Sequence, residues 1–93
     1  MIWSIRHKGL KRLFHDDDQR GVPAQFVGKL RNILTFLNAA AAPADAAPFP
    51  GLRLHALKGE MRGMWSMTVS GNWRVVFRFE DGDAYDFDLV DYH

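Results

Sequence analysis

The residues of this 93-residue chain that can exchange a proton near neutral pH are four histidines, His7, His15, His55 and His93. Two of them have neighbours of chemical interest. His55 stands in Arg53-Leu54-His55-Ala56-Leu57-Lys58, where alternation turns Leu54 inward and His55 outward with a lysine at the adjoining turn. His93 closes the run Asp91-Tyr92-His93, directly after a strand-like stretch that keeps apolar residues to Leu89 and Val90. Arg74 and Arg78 lie on the face opposite the stripe of Trp73, Val75 and Phe77. Imidazoles that act as base or acid, with cations nearby to hold negative charge, are the parts of acid–base chemistry at an anionic centre. Each segment alone also fits plain surface. An outward histidine beside a lysine is usually solvated, and Arg74 and Arg78 both have Asp86 or Asp88 as cross-strand partners, Arg78 above all. Arg74, next to the Gly71-Asn72 turn, has the alternative of pointing at a phosphate. His7 and His15 lie in a basic run without metal-ligand spacing and read as solvent-exposed.

Other chemistries fit less well. With no cysteine, disulfides and thiolate metal sites are excluded. The acids of the last strand occupy turns or alternate along one exposed strand, with no second carboxylate cluster at ligand spacing, so a metal-dependent hydrolase is not indicated. There is no glycine-rich phosphate loop and no nucleophile elbow. No stretch reaches the roughly 20 apolar residues of a membrane span or forms a signal peptide, so the expected location is cytoplasmic. The net charge of +1 conceals an asymmetry: residues 1–79 hold all twelve Lys and Arg against five acids, and residues 80–93 hold six acids and no base. A basic body suits an anionic partner such as RNA, although charge alone favours a plain solvated surface.

The elements that must position these residues follow from periodicity. Residues 2–6 alternate as a short first strand, and Leu10, Leu13 and Phe14 mark a short basic helix over 8–15, ended by Asp16-Asp17-Asp18 and Gly21 and expected to fray there. Pro23 is placed as the first residue of a second helix, whose stripe is Phe26, Leu30, Ile33, Leu34 and Leu37. Residues 39–50, rich in Ala and Pro, form a surface connection. From Leu52 the period becomes two. A strand starts over Leu52, Leu54 and Leu57, and Lys58-Gly59-Glu60 is a turn. Strands then carry Trp65, Met67 and Val69; Trp73, Val75, Phe77 and Phe79; and Tyr85, Phe87 and Leu89, separated by Gly71-Asn72 and Asp81-Gly82-Asp83. The predicted fold is α+β and a single domain over 1–93: an N-terminal strand, then a two-helix hairpin packed on an antiparallel β-meander.

In order along the chain, Arg6-His7-Lys8-Gly9-Leu10, Leu54-His55-Ala56-Leu57-Lys58-Gly59, Trp65-Ser66-Met67-Thr68-Val69-Ser70-Gly71-Asn72-Trp73-Arg74, Phe77, Asp81-Gly82-Asp83-Ala84-Tyr85 and Asp91-Tyr92-His93 resemble the HigB toxins of the RelE/ParE superfamily. The resemblance covers essentially the whole chain. It implies a RelE/ParE-like fold and the toxin of a type II toxin–antitoxin system. Such a toxin is a ribosome-dependent endoribonuclease that cuts mRNA in the A site of the 70S ribosome. Its partner would be a HigA-type helix-turn-helix antitoxin, and the complex would bind operator DNA. No cofactor, metal or membrane enters.

Carried over position by position, the resemblance implies His55, Asp91, Tyr92 and His93 as catalytic residues and Lys58 and Arg74 as phosphate-binding residues. Two departures stand out, Met64, where the family commonly has an aromatic residue, and the composition of 39–50; neither was expected to touch the site. In metal-free cleavage the ribose 2′-hydroxyl attacks the adjacent phosphorus and expels the 5′-oxygen, a step that needs a base, an acid and cations. His55 and His93 would share the proton transfers, Asp91 would orient an imidazole, Lys58 and Arg74 would hold phosphate charge, and Tyr92 would stack on a base or touch the phosphate. Two alternatives compete: a ParE-like toxin that binds a protein such as gyrase without chemistry, and an inactive toxin retained only for operon autoregulation.

Overall fold

In the computed structural model, which describes residues 1–42 and 54–91, the sequence periods resolve into two helices and four strands. Helix α1 spans Lys8–Asp16 and α2 spans Val27–Ala39, and strands β1 His55–Ala56, β2 Met64–Ser70, β3 Trp73–Glu80 and β4 Asp83–Asp91 pair antiparallel in that order. The α2 stripe and the inward residues of the strands meet in one core. Leu10, Leu13, Leu30, Ile33, Leu34 and Leu37 from the helices cover Met67, Val69, Val75, Phe77, Phe87 and Leu89 from the sheet. Phe77 and Phe87 stack at the centre, with ring centroids 5.1 Å apart. Among the described residues, no helix covers the opposite face of the sheet.

Four local features differ from the periodic reading. First, residues 2–6 join β4 in parallel, through bridges Ile2 to Ala84 and Ile5 to Phe87, so the meander is extended by one non-meander segment. Second, β4 carries a bulge at Asp86, whose φ of 56° is left-handed. The bulge shifts the phase of the strand. Ala84 and not Tyr85 joins Phe87 and Leu89 on the core side, and Tyr85 turns to the open face under the guanidinium of Arg78, 4.8 Å from its ring centroid. The N-terminal segment follows the same irregularity. Its two isoleucines stand three residues apart, as Ala84 and Phe87 do, and Ser4 Oγ accepts the Asp86 N–H at 2.8 Å.

Third, Pro23 does not start α2. It precedes a 3-10 turn over Ala24–Phe26, with Phe26 N–H donating to the Pro23 carbonyl at 2.9 Å, and the α-helix begins at Val27. Fourth, α1 does not fray at its acidic end. Asp17 adopts the left-handed conformation, φ 54°, and the chain wraps its N–H groups back onto the Arg12 carbonyl. At the other end His7 caps the helix, its Nδ1 accepting the Leu10 N–H at 3.1 Å. Between the helices the backbones of Gly9 and Gly21 touch so closely that a Cβ on Gly9 would lie 2.0 Å from the Gly21 carbonyl oxygen. The expected strand start at Leu52 lies outside the described residues, and β1 is the two residues His55 and Ala56, with Leu54 packed on the core as predicted.

Candidate active site

Strand pairing decides which of the sequence-predicted residues share a surface. His55 is opposite Ser66 on β2, Ser66 is opposite Val76 on β3, and Val76 is opposite Asp88 on β4. The next row contains Thr68, Arg74 and Val90, and the row on the other side Met64, Arg78 and Tyr85. All these positions lie on the helix-free face. Ser66 and Val76 form its floor, 4% and 5% exposed, with His55 exposed at its edge. A period of two and helices on one side leave the polar alternates nowhere else to go.

From the strand spacings, His55 and Arg74 stand about 12 Å apart at the backbone, two strands across and one side-chain position along. That separation lets an imidazole and a guanidinium approach one phosphodiester from two sides. In this structure Arg74 is folded back toward the hairpin turn, its Nη1 donating to the carbonyls of Gly71 at 2.6 Å and Trp73 at 3.1 Å. Arg78 is engaged with carboxylates, Glu80 at 2.7 Å and Asp86 at 3.5 Å, and the Glu80 contact chiefly raises its guanidinium pKa above the usual value.

Lys58 lies just beyond β1, exposed, before the 3-10 turn Gly59–Met61. Because β1 is antiparallel to β2, Lys58 is at the Met64 end of the face and Arg74 at the Thr68 end. The two cations therefore flank His55 from opposite ends and do not converge on one point. Asp91 does not join them directly. It pairs with Trp73, whose side is that of the helices, where Trp73 meets Phe26 edge-to-face at 5.9 Å. Tyr92 and His93 lie outside the described residues. Among the described residues no three of His, Asp or Glu stand close enough together to hold a metal ion.

Sequence reasoning missed two features of this face. Met64 shares it, one side-chain position from Ser66, and its carbonyl accepts the Leu57 N–H at 2.9 Å, so this departure borders the site after all. The second is Ser66, directly across from His55; its alternation with Trp65 and Met67 was the available signal.

The family description of the RelE-like toxin HigB, of type II toxin–antitoxin systems, matches residues 3–93. This chain is a member of the HigB-like toxin family. Relatives of this HigB-like chain include the Endoribonuclease HigB of Proteus vulgaris, 43% identical over 93 residues and all of both chains. Toxin HigB-1 of Vibrio cholerae is 32% identical over 85 residues, 90% of each chain. Among solved structures, YafQ of E. coli strain BL21(DE3) superposes with a TM-score of 0.61 at 18% identity, covering 98% of this chain and 91% of its own. A histidine-to-glutamine variant of E. coli YafQ gives 0.58 at 19% identity with the same coverage. At these identities the YafQ likeness shows the fold. The expected scaffold of two helices on an antiparallel sheet is therefore both observed and shared with YafQ.

Proposed function

We propose that this HigB-like chain is an endoribonuclease that cuts messenger RNA in the ribosomal A site, without a metal, by attack of the ribose 2′-hydroxyl on the adjacent phosphorus. The observation that carries the reading is the full-length, 43% likeness to a protein named Endoribonuclease HigB, in a chain whose one exposed sheet histidine, among the described residues, stands on a helix-free face. In the reaction a base removes the 2′-hydroxyl proton, the new O–P bond forms as the P–O5′ bond breaks, and an acid protonates the departing 5′-oxygen. His55 and His93 exchange those two protons. Lys58 and Arg74, reaching in from opposite ends of the face, hold the phosphate charge, and Arg74 exchanges its turn carbonyls for phosphate oxygens. Asp91 orients an imidazole, and Tyr92 stacks on a base or touches the phosphate.

The open sheet face has few groups to hold free RNA, and the ribosome supplies the positioning. The chain works in the cytoplasm, where mRNA is translated. A HigA-type helix-turn-helix antitoxin neutralises it, and their complex binds the operator.

The test maps cuts in mRNA on programmed ribosomes to the nucleotide, for the intact chain and for a chain lacking His93. Cuts within A-site codons that vanish in the truncation support the reading. A folded, intact protein that cuts nothing overturns it, and inhibition of gyrase is then the assay to run. Equal turnover on naked RNA overturns the ribosome requirement alone.

A further inference from the structure

The β2–β3 hairpin that carries Arg74 is irregular. Thr68 stands opposite Arg74 and Ser70 opposite Trp73, so β2 advances two residues while β3 advances one, and Val69 has no residue facing it on β3. This is a β-bulge, and it decides where Arg74 can go. With the same two-residue turn at Gly71 and Asn72 and no bulge, Val69 would stand opposite Arg74, and Thr68 opposite Val75. Residues directly opposite share a face of the sheet, so each of those pairs would mix a core residue with an open-face one. The bulge resolves the conflict. Val69 and Val75 stay fully buried, and Arg74 keeps its place beside Thr68 on the open face.

A bulge takes ladder groups away from their usual partners, and here an element outside the sheet supplies one. Lys29 of α2 donates through Nζ to the Val69 carbonyl at 2.6 Å, across 40 positions of sequence. Lys29 is in the first turn of its helix, a turn that contains no acid. The helix dipole opposes a cation there, so the lysine brings α2 itself no advantage. Two positions beyond Val69, the Gly71 carbonyl accepts from Arg74 Nη1 at 2.6 Å, and the Trp73 carbonyl accepts from the same nitrogen at 3.1 Å. The segment that Lys29 clamps is therefore the one on which the Arg74 guanidinium rests.

We propose that Lys29 is a positioning residue for Arg74: its ammonium, bonded to the Val69 carbonyl, holds the bulge and the turn from which the guanidinium reaches an RNA phosphate. The proposal rests on the phosphate-binding reading of Arg74. Lys29 belongs to the helix layer, on the side of the sheet away from Arg74, so it acts through the β2 backbone and does not touch the RNA.

The test is a double-mutant cycle in the full chain, made of Lys29→Met, Arg74→Ala and the two together. Affinity for programmed ribosomes is read as a function of salt, and exchange of backbone amides with solvent deuterium is read in the free protein. Arg74→Ala should lower the slope of log affinity against log salt by roughly one, as one lost phosphate contact requires. Lys29→Met should weaken binding by no more than Arg74→Ala does, and should change nothing further once residue 74 is alanine. Lys29→Arg, which keeps a charged donor, should restore binding. In the free protein, Lys29→Met should speed exchange at residues 70–74 roughly tenfold, the equivalent of one hydrogen bond to a charged group, and leave the α2 amides as they were. A further loss of slope in the double variant overturns the proposal and makes Lys29 an RNA contact in its own right. Unchanged exchange at the turn overturns it, and so does a lower unfolding midpoint with binding intact, which makes the lysine a purely structural group. A slope that Arg74→Ala leaves unchanged overturns the phosphate-binding reading of Arg74, and this proposal with it. No arm measures cleavage, so the nuclease reading stands or falls separately on the mapped cuts.

Discussion

At the scale of single residues, the site depends on side chains that cost the fold little. His55 is exposed on a two-residue edge strand, and its imidazole is free of core packing. His55→Ala should therefore abolish ribosome-dependent cleavage while the unfolding midpoint moves by less than about 0.5 kcal/mol equivalent, checked by mapping cuts and by denaturant titration on one preparation. Met64 makes a subtler prediction. Its neighbours on the open face are Arg78 and Ser66, so Met64→Tyr adds a stacking surface beside His55 without touching the core. Cleavage at subsaturating ribosome concentration should rise, with little change in the maximal rate. A drop in maximal rate would mean that the larger ring obstructs His55. The histidine's outward position was legible in the alternation of Leu54 and His55. The same period puts Asp91, two positions after Leu89, on the helix side. The turn of Tyr85 to the open face was not legible, because the bulge at Asp86 is set by tertiary contacts that the strand's own period does not encode.

At the scale of elements, the helical hairpin is held by devices specific to its turns. Gly9→Ala would place a methyl carbon 2.0 Å from the Gly21 carbonyl oxygen, and backbone on both sides cannot yield cheaply. A loss of about 3 kcal/mol is expected, read as a shift in the denaturant midpoint at unchanged slope. His7→Ala removes the cap on α1 and should cost about 1 kcal/mol, with His7→Asn restoring most of it. The same connection has a pH signature. The Arg20 guanidinium, with the Arg20 backbone N–H, holds the Asp18 carboxyl down to about 2, below its usual value near 3.9. A carboxylate depressed in the folded state contributes stability above about pH 4 and loses it as pH falls toward 2. Asp18→Asn should remove that part of the acid-induced decline, measured as midpoints between pH 2 and 5.

Hairpin turns, helix stripes and the β-meander could be read from residue spacing, since one period per element sufficed everywhere but at the bulge of β4. The helix boundaries could not. Whether Pro23 opens an α-helix or a 3-10 turn, and whether three aspartates fray a helix or close it, depends on the contacts each end finds across the molecule.

At the scale of the whole molecule, one helix layer serves a sheet whose two faces have separate duties. The inner face builds the core, and the outer one is left polar enough to meet RNA. β4 ties these together, because it borders β3 on one side and residues 2–6 on the other. Trp3 and Arg6 donate to the carbonyls of Ala84 and Phe87, Met1 and Ser4 accept from the amides of the same two residues, and the Met1 amino group meets Asp83 at 3.3 Å. Ser4 and Asp86, joined by one hydrogen bond, are 82 positions apart in sequence. Closing so long a loop is entropically expensive before any contact rewards it, so this pairing belongs late in folding, after the hairpins β2–β3 and β3–β4 and the helices have formed from local contacts. Ser4→Ala should accordingly speed unfolding in a stopped-flow chevron and leave the refolding limb in place. The order matters during synthesis. Residues 2–6 are made before β4, whose Asp86 follows Ser4 by 82 positions, so the sheet edge they form closes only once that strand has been made.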